Sequence, residues 1–305
     1  MLLIYKERQE PSQLVLLRTL KSRMALSKLD QQTYYNLSKG YEGERLFDAL
    51  LQDLKCDCLV LNDLLLKVNN QTFQVDTLLI LNNQIHLFEI KNYKGDFYFE
   101  SDRFFQKDGT EIFNPLTQLQ RTESLLRQWL THYQLPTSIQ PSVIFINPEF
   151  TLYKAPLDKP FILPTQLNQL IKNLNYEQFT LNQRDKELAG KLVAEHMPEH
   201  PLQQLPAYEY PNLKKGVKCF ICESFSISST KYGGIVTCTS CGYKEKIEIA
   251  ILRTLKEFKI LFPLENITTS KIHEWCHMDT SKKTIQRILE KHFSKIGSKR
   301  WSYYS

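Results

Sequence analysis

Between positions 34 and 54 apolar residues return every three or four places, at Leu37, Tyr41, Phe47, Leu50, Leu51 and Leu54, the spacing of one helical face. Gly40 and Gly43 are expected to break that helix near its start. Short apolar runs follow at 58–66, 72–81, 85–90 and 96–99, with Asn82-Asn83 as a turn between the second and third, the pattern of a strand meander. A second helix is expected over 115–132, with Asn114 as its cap and Pro115 at its first position, and the continuous apolar run 143–146 fits a buried strand. Helix, three or four strands, helix and strand describe a small mixed α/β domain over 35–150. Around it, residues 1–34 read as an N-terminal arm with Leu14, Leu16, Leu17 and Leu20 near helical spacing. Residues 151–210 read as a helical extension whose end, 197–211, is a proline-rich linker.

Charge sharpens the division. The net charge is +6, yet residues 211–305 hold 17 Lys plus Arg against 8 Asp plus Glu, a net +9, which leaves a net −3 for residues 1–210. The basic tail is therefore the part expected to seek a polyanion. Four of the seven cysteines form two CxxC pairs, a pattern of metal ligation rather than of a disulfide framework. No stretch reaches the roughly 18 unbroken apolar residues of a membrane span, so a cytoplasmic protein with no membrane partner is expected. Oligomeric state is not legible.

The segment after Val75 carries the chemistry. Glu89 and Lys91 are two apart in an expected strand, so both project from one face, and Asp76 stands at the start of the neighbouring strand. Two carboxylates suit a catalytic Mg²⁺ or Mn²⁺ that polarises a phosphate and activates a water, and the lysine would offset the charge that builds on phosphate oxygens. Glu44 shares the inward face of the first helix, and Gln118 and Arg121 lie one turn apart on the second. Taken singly, each has a plainer reading: an ExK pair at a solvated edge, a glutamate in a first helical turn, an aspartate in a turn. Their joint order is the signal.

In that order the residues resemble the nuclease-related domain, NERD, a branch of the PD-(D/E)xK nuclease superfamily. The likeness rests on GYEGE at 40–44, FQVDTLL at 73–79, FEIKNYKG at 88–95 and NPLTQ at 114–118, and spans roughly 35–150. The resemblance implies a restriction-endonuclease-like mixed sheet flanked by helices, a metal site at Asp76 and Glu89, a catalytic Lys91, and supporting roles for Glu44 and Gln118.

Over 211–246, Cys219, Cys222, Cys238 and Cys241 have the spacing of a structural Zn²⁺ ribbon. Cys56 and Cys58 read as small buried residues, and Cys276 with His273 and His277 as packing. Residues 247–305 read as helices over 247–262, 269–278 and 281–293 and a hairpin over 297–304, the outline of a helix-turn-helix or winged helix. Its third helix would turn Lys282, Lys283, Gln286, Arg287 and Lys291 outward to nucleic acid, with Lys299 and Arg300 in the wing. The expected function is a metal-dependent nuclease, acting on DNA and targeted by this tail. The rival expectation is an inactive nucleic-acid-binding or regulatory protein on a nuclease scaffold.

Overall fold

Three runs with few polar positions, 58–68, 71–81 and 84–91, become the centre of a sheet covered on both faces, the setting in which a strand tolerates near-continuous apolar sequence. In this computed structural model, residues 2–176, 180–198, 205–229, 234–297 and 302–305 are described. The chain divides into two compact units, Met1–Pro11 with Tyr35–Gln204, and Ser12–Tyr34 with Leu205–Ser305. Strand β1 (Leu2–Lys6) and helices α1 (Ser12–Lys21) and α2 (Lys28–Leu51) open the chain.

The first unit continues with β2 (Cys58–Val68), β3 (Gln71–Leu81), β4 (Gln84–Lys91), β5 (Gly95–Glu100), β6 (Arg103–Gln106) and β7 (Glu111–Ile112). It closes with α3 (Pro115–His132), β8 (Ser138–Phe145), β9 (Phe150–Tyr153), β10 (Phe161–Ile162), α4 (Leu167–Tyr176) and α5 (Gln183–Ala194). A six-stranded mixed sheet runs β1-β2-β3-β4-β8-β10, antiparallel from β2 to β4 and parallel elsewhere. Leu78, Ile80 and Leu87 pack with Leu119, Leu126 and Trp129 of α3, while Leu79, Leu81 and Phe88 pack with Phe47 and Leu51 of α2 and Ile171 of α4. The α/β expectation for this region therefore stands.

Two local expectations are corrected. The run 96–99 does not extend the meander: after β4, Gly95 at φ 100° turns the chain into a separate four-stranded sheet, β7-β6-β5-β9. Neither glycine breaks α2. Gly40 has open space where a Cβ would stand, whereas a Cβ on Gly43 would lie 2.5 Å from Cβ of Asn92, so Gly43 is there for close approach of helix to sheet. Residues 1–34 divide between the units: β1 pairs with β2 in the first, and α1 packs on a helix of the second.

In the second unit, β11 (Ile227–Ser229), β12 (Ile235–Cys238) and β13 (Lys244–Lys246) form an antiparallel ribbon. Helices α6 (Ile247–Leu261), α7 (Thr269–Cys276) and α8 (Lys282–His292) follow, then β14 (Lys295–Ile296) paired with β15 (Tyr303–Tyr304). Side-chain oxygens of Thr268 and Ser281 cap α7 and α8. Arg23, just after α1, is buried over the Trp275 ring at 4.2 Å and paired with Glu257 of α6 at 2.5 Å. Cys276 is fully buried and His273 bonds the Thr280 carbonyl, so both serve packing, as do the buried Cys56 and Cys58.

Candidate active site and thiolate centre

The sheet loses its regular pleat where the acids lie. Leu61 and Leu64 of β2, and Leu78 and Val75 of β3, enter the same core cluster although alternation would send one of each pair to the opposite face. The slip falls at Asp63, at φ 51°, and at Asp76. The β3–β4 ladder also ends here, at Thr77 opposite Phe88, so that Asp76 and Glu89 come next on their strands. Asp76 is held by its Oδ2, which accepts the Ile90 N–H at 2.9 Å.

Glu89 and Lys91 project together, as two residues apart in a strand must. The Lys91 ammonium donates to Glu89 Oε1 at 2.7 Å and to Gln118 Oε1 at 2.9 Å. Gln118 is aimed by the start of α3, where Asn114 Oδ1 accepts the Leu116 N–H at 3.0 Å and Pro115 occupies the first turn. Arg121, one turn on, is exposed. Glu44 reaches the cluster from α2, and its Oε2 accepts from Arg8 Nη1 at 2.8 Å. The structure thus brings Glu44, Asp76, Glu89, Lys91 and Gln118 into one neighbourhood.

Electrostatics describe an over-acidic pocket. Burial and then the Asp76 charge push Glu89 up to about 8, and the same two causes push Glu44 up to about 7. Burial works against the Lys91 charge, but Glu89 and Asp76 outweigh it and the ammonium is held more firmly than usual. Glu44, Asp48, Asp63, Asp76 and Glu89 face three cations, Arg8, Lys91 and, beside Asp63, Lys6. Among the described residues each of Glu44, Asp76 and Glu89 commits one carboxylate oxygen to a protein donor and leaves the other without one. A hard divalent cation fits such a set, since it takes carboxylate oxygens and relieves the excess negative charge. The acids are not tightly drawn: among the described residues, the cysteine cluster alone gathers three or more ligating side chains with all donor atoms within 4.8 Å. A cation held by one or two carboxylates that keeps several waters, as Mg²⁺ does, suits the looser arrangement.

Arg8 and Asp48 are the parts that sequence reasoning missed. The Arg8 guanidinium, 3% exposed, bonds Asp48 through Nε and Nη2 at 2.8 and 3.0 Å, as well as Glu44. Its partners lie 36 to 69 residues away in the chain, so no local pattern could have pointed to it.

In the second unit Cys219, Cys222, Cys238 and Cys241 converge, with Sγ separations of 3.6 Å for Cys219–Cys241 and for Cys222–Cys238. Four thiolates around one ion at about 2.3 Å stand about 3.8 Å apart in a tetrahedron, so the cage has the dimensions of a single metal ion. Gly242 at φ 77° closes the turn after the second pair, and Ile221 N–H points at Cys219 Sγ. Although burial pushes the Cys238 thiol up, the N–H groups of Cys241 and Ser240 and the neighbouring thiols bring it down to about 6.

On α8, Ile285, Ile288 and Leu289 are buried and Lys282, Lys283, Gln286, Arg287 and Lys291 are exposed. Gln286 is bonded to Glu290, and Lys291 with His292 to Glu248. Lys299 and Arg300 lie outside the described residues.

No curated protein and no solved structure matches the chain. One family model does match, over residues 39–146, a segment that includes Glu44, Asp76, Glu89, Lys91 and Gln118 but not Arg8. The first unit of this chain is accordingly built around a nuclease-related domain, NERD.

Proposed function

We propose that the protein is a metal-dependent nuclease that hydrolyses phosphodiester bonds in DNA, with its second unit holding the nucleic acid. The observation that carries this reading is the meeting of Asp76, Glu89 and Lys91 where the β3–β4 ladder ends, with a carboxylate oxygen spare on each acid. Asp76 and Glu89 hold Mg²⁺ or Mn²⁺, and such an ion, when bound, supplies Lewis-acid polarisation of the phosphate and a more acidic water. Lys91, tethered by Gln118, carries a fixed positive charge to the attacked phosphate and orients the water. Glu44 lies beside Asp76, where a solvated metal's water would find a hydrogen-bond acceptor.

The four cysteines take Zn²⁺ and hold the ribbon together, for about 30 residues with so little apolar content do not fold unaided. The helices α6 to α8 and the β14–β15 hairpin serve as a winged helix. Its Lys282, Lys283, Gln286, Arg287 and Lys291 face lies along the duplex, and affinity from so basic a unit falls steeply with salt.

The test is cleavage of plasmid and single-stranded DNA in Mg²⁺ and in Mn²⁺ by the full chain and by its Asp76→Asn and Lys91→Ala variants. Both substitutions are expected to slow cutting by about 100-fold or more. Equal cutting by wild type and variants overturns the reading.

A further inference from the structure

The carboxylates of the candidate site are not anchored by the NERD segment alone. Two cations from the first residues of the chain grip the place where the pleat of β2 and β3 slips. Lys6 Nζ donates to the carbonyls of Asn62 and Asp63, at 2.8 Å each, on β2. Arg8 Nη2 donates to the Asp76 carbonyl at 2.9 Å and to Thr77 Oγ1 at 2.8 Å on β3. The same guanidinium takes both oxygens of Asp48 and one oxygen of Glu44 on α2. One planar group therefore ties the helix bearing Glu44 to the strand residue bearing Asp76. Its fork geometry matters, because an ammonium has no fixed plane with which to span two carboxylates and a carbonyl.

We infer that Arg8, which lies outside the matched segment 39–146, is a positioning residue of the metal site: it sets Glu44 against Asp76 and leaves Glu44 Oε1 turned to the cation or its water. The inference rests on the metal-site reading above. The buried Arg8 guanidinium bonds Glu44, Asp48, Asp76 and Thr77, and its effect passes through Glu44 and the backbone of Asp76.

The test is Mn²⁺ binding to the full chain, read from the electron paramagnetic resonance of free Mn²⁺, for wild type, Asp76→Asn, Arg8→Lys, Glu44→Gln and the Arg8→Lys/Glu44→Gln double variant. Arg8→Lys is expected to weaken binding by about 10- to 100-fold, the range for partners that orient metal ligands, with an unchanged circular dichroism spectrum. In the Glu44→Gln background the same substitution is expected to have a clearly smaller effect, since the part of it carried through Glu44 is already lost and only the part carried through the Asp76 backbone remains. A general loss of structure would not produce that non-additivity. Wild-type affinity in Arg8→Lys, or full additivity with Glu44→Gln, overturns the role of Arg8 while Asp76→Asn still reports the metal site. If wild type and Asp76→Asn bind alike, the metal-site reading itself is at fault. If Arg8→Lys does not fold, Asp48→Asn loosens the guanidinium without removing it, and the cycle with Glu44→Gln decides in the same way.

Discussion

Glu89 and Glu44 keep their protons to about 8 and about 7 because burial and the Asp76 charge both disfavour the ionised forms. A carboxyl whose pKa rises on folding takes up a proton with the fold. Its contribution to stability is then complete below the ordinary value of 4.5 and is lost as pH climbs through those raised values. A divalent ion binds the ionised carboxylates, so its stabilising effect grows over the same window. In buffer free of divalent ions the Tm is expected to fall between about pH 5.5 and about pH 8.5, and added Mg²⁺ to raise it more at the upper pH. Glu89→Gln should flatten most of that slope. A Mg²⁺ increment in Tm that does not change with pH would mean that these acids are not where the ion binds. Two glycines in the same motif make a second residue-scale prediction with opposite signs. Gly43→Ala forces a Cβ to 2.5 Å from Asn92 and is expected to cost about 1–3 kcal/mol in urea unfolding. Gly40→Ala meets nothing within 4 Å inside a continuous helix and is expected to stabilise by about 0.5–1 kcal/mol.

The third helix of the tail illustrates how far an element can be read from its letters. Period and caps give α8 its bounds almost to the residue, and its buried stripe of Ile285, Ile288 and Leu289 follows from spacing alone. The outward residues are equally legible, but their ion pairs are not, because Glu248 sits 43 residues before Lys291. Among the described residues Lys282, Lys283 and Arg287 form no ion pair, so they are the ones free to meet phosphates. Replacing these three with alanine is expected to lower the slope of log K against log salt on duplex DNA by about 0.9 for each phosphate that is no longer neutralised. An unchanged slope would mean that other cations of the chain neutralise the backbone. The same limit operates at the candidate site. The ExK pair, the capped α3 and Gln118 are local patterns and can be read; the pleat slip at Asp63 and Asp76 and the grip of Arg8 depend on pairing between distant segments. Gly43 reads as a helix breaker because propensity is local, whereas its reason, the approach of Asn92, is tertiary.

At the scale of the whole molecule the chain passes between its units three times: residues up to Pro11 lie in the first, Ser12–Tyr34 in the second, Tyr35–Gln204 in the first again and Leu205–Ser305 in the second. A cut after 204, within the proline-rich stretch 197–211 that the sequence marks as a linker, removes α6 to α8 but keeps α1. Leu14, Leu17 and Leu20 are fully buried in the intact chain, and each is worth about 1.5–3 kcal/mol of burial. The cut also leaves Arg23 without Glu257, exposing an apolar helix that ends in an unpaired cation. Residues 1–204 alone are therefore expected to self-associate on size-exclusion chromatography with light scattering. The same fragment with Leu14, Leu17 and Leu20 changed to serine is expected to stay dispersed, with residues 39–146 folded, because the helix that these residues stud packs on α6 of the second unit. The triple substitution in the full chain should instead destabilise the second unit. A well-dispersed unmodified fragment would mean that α1 does not need α6, and that the chain's early excursion is a tether rather than part of the second core.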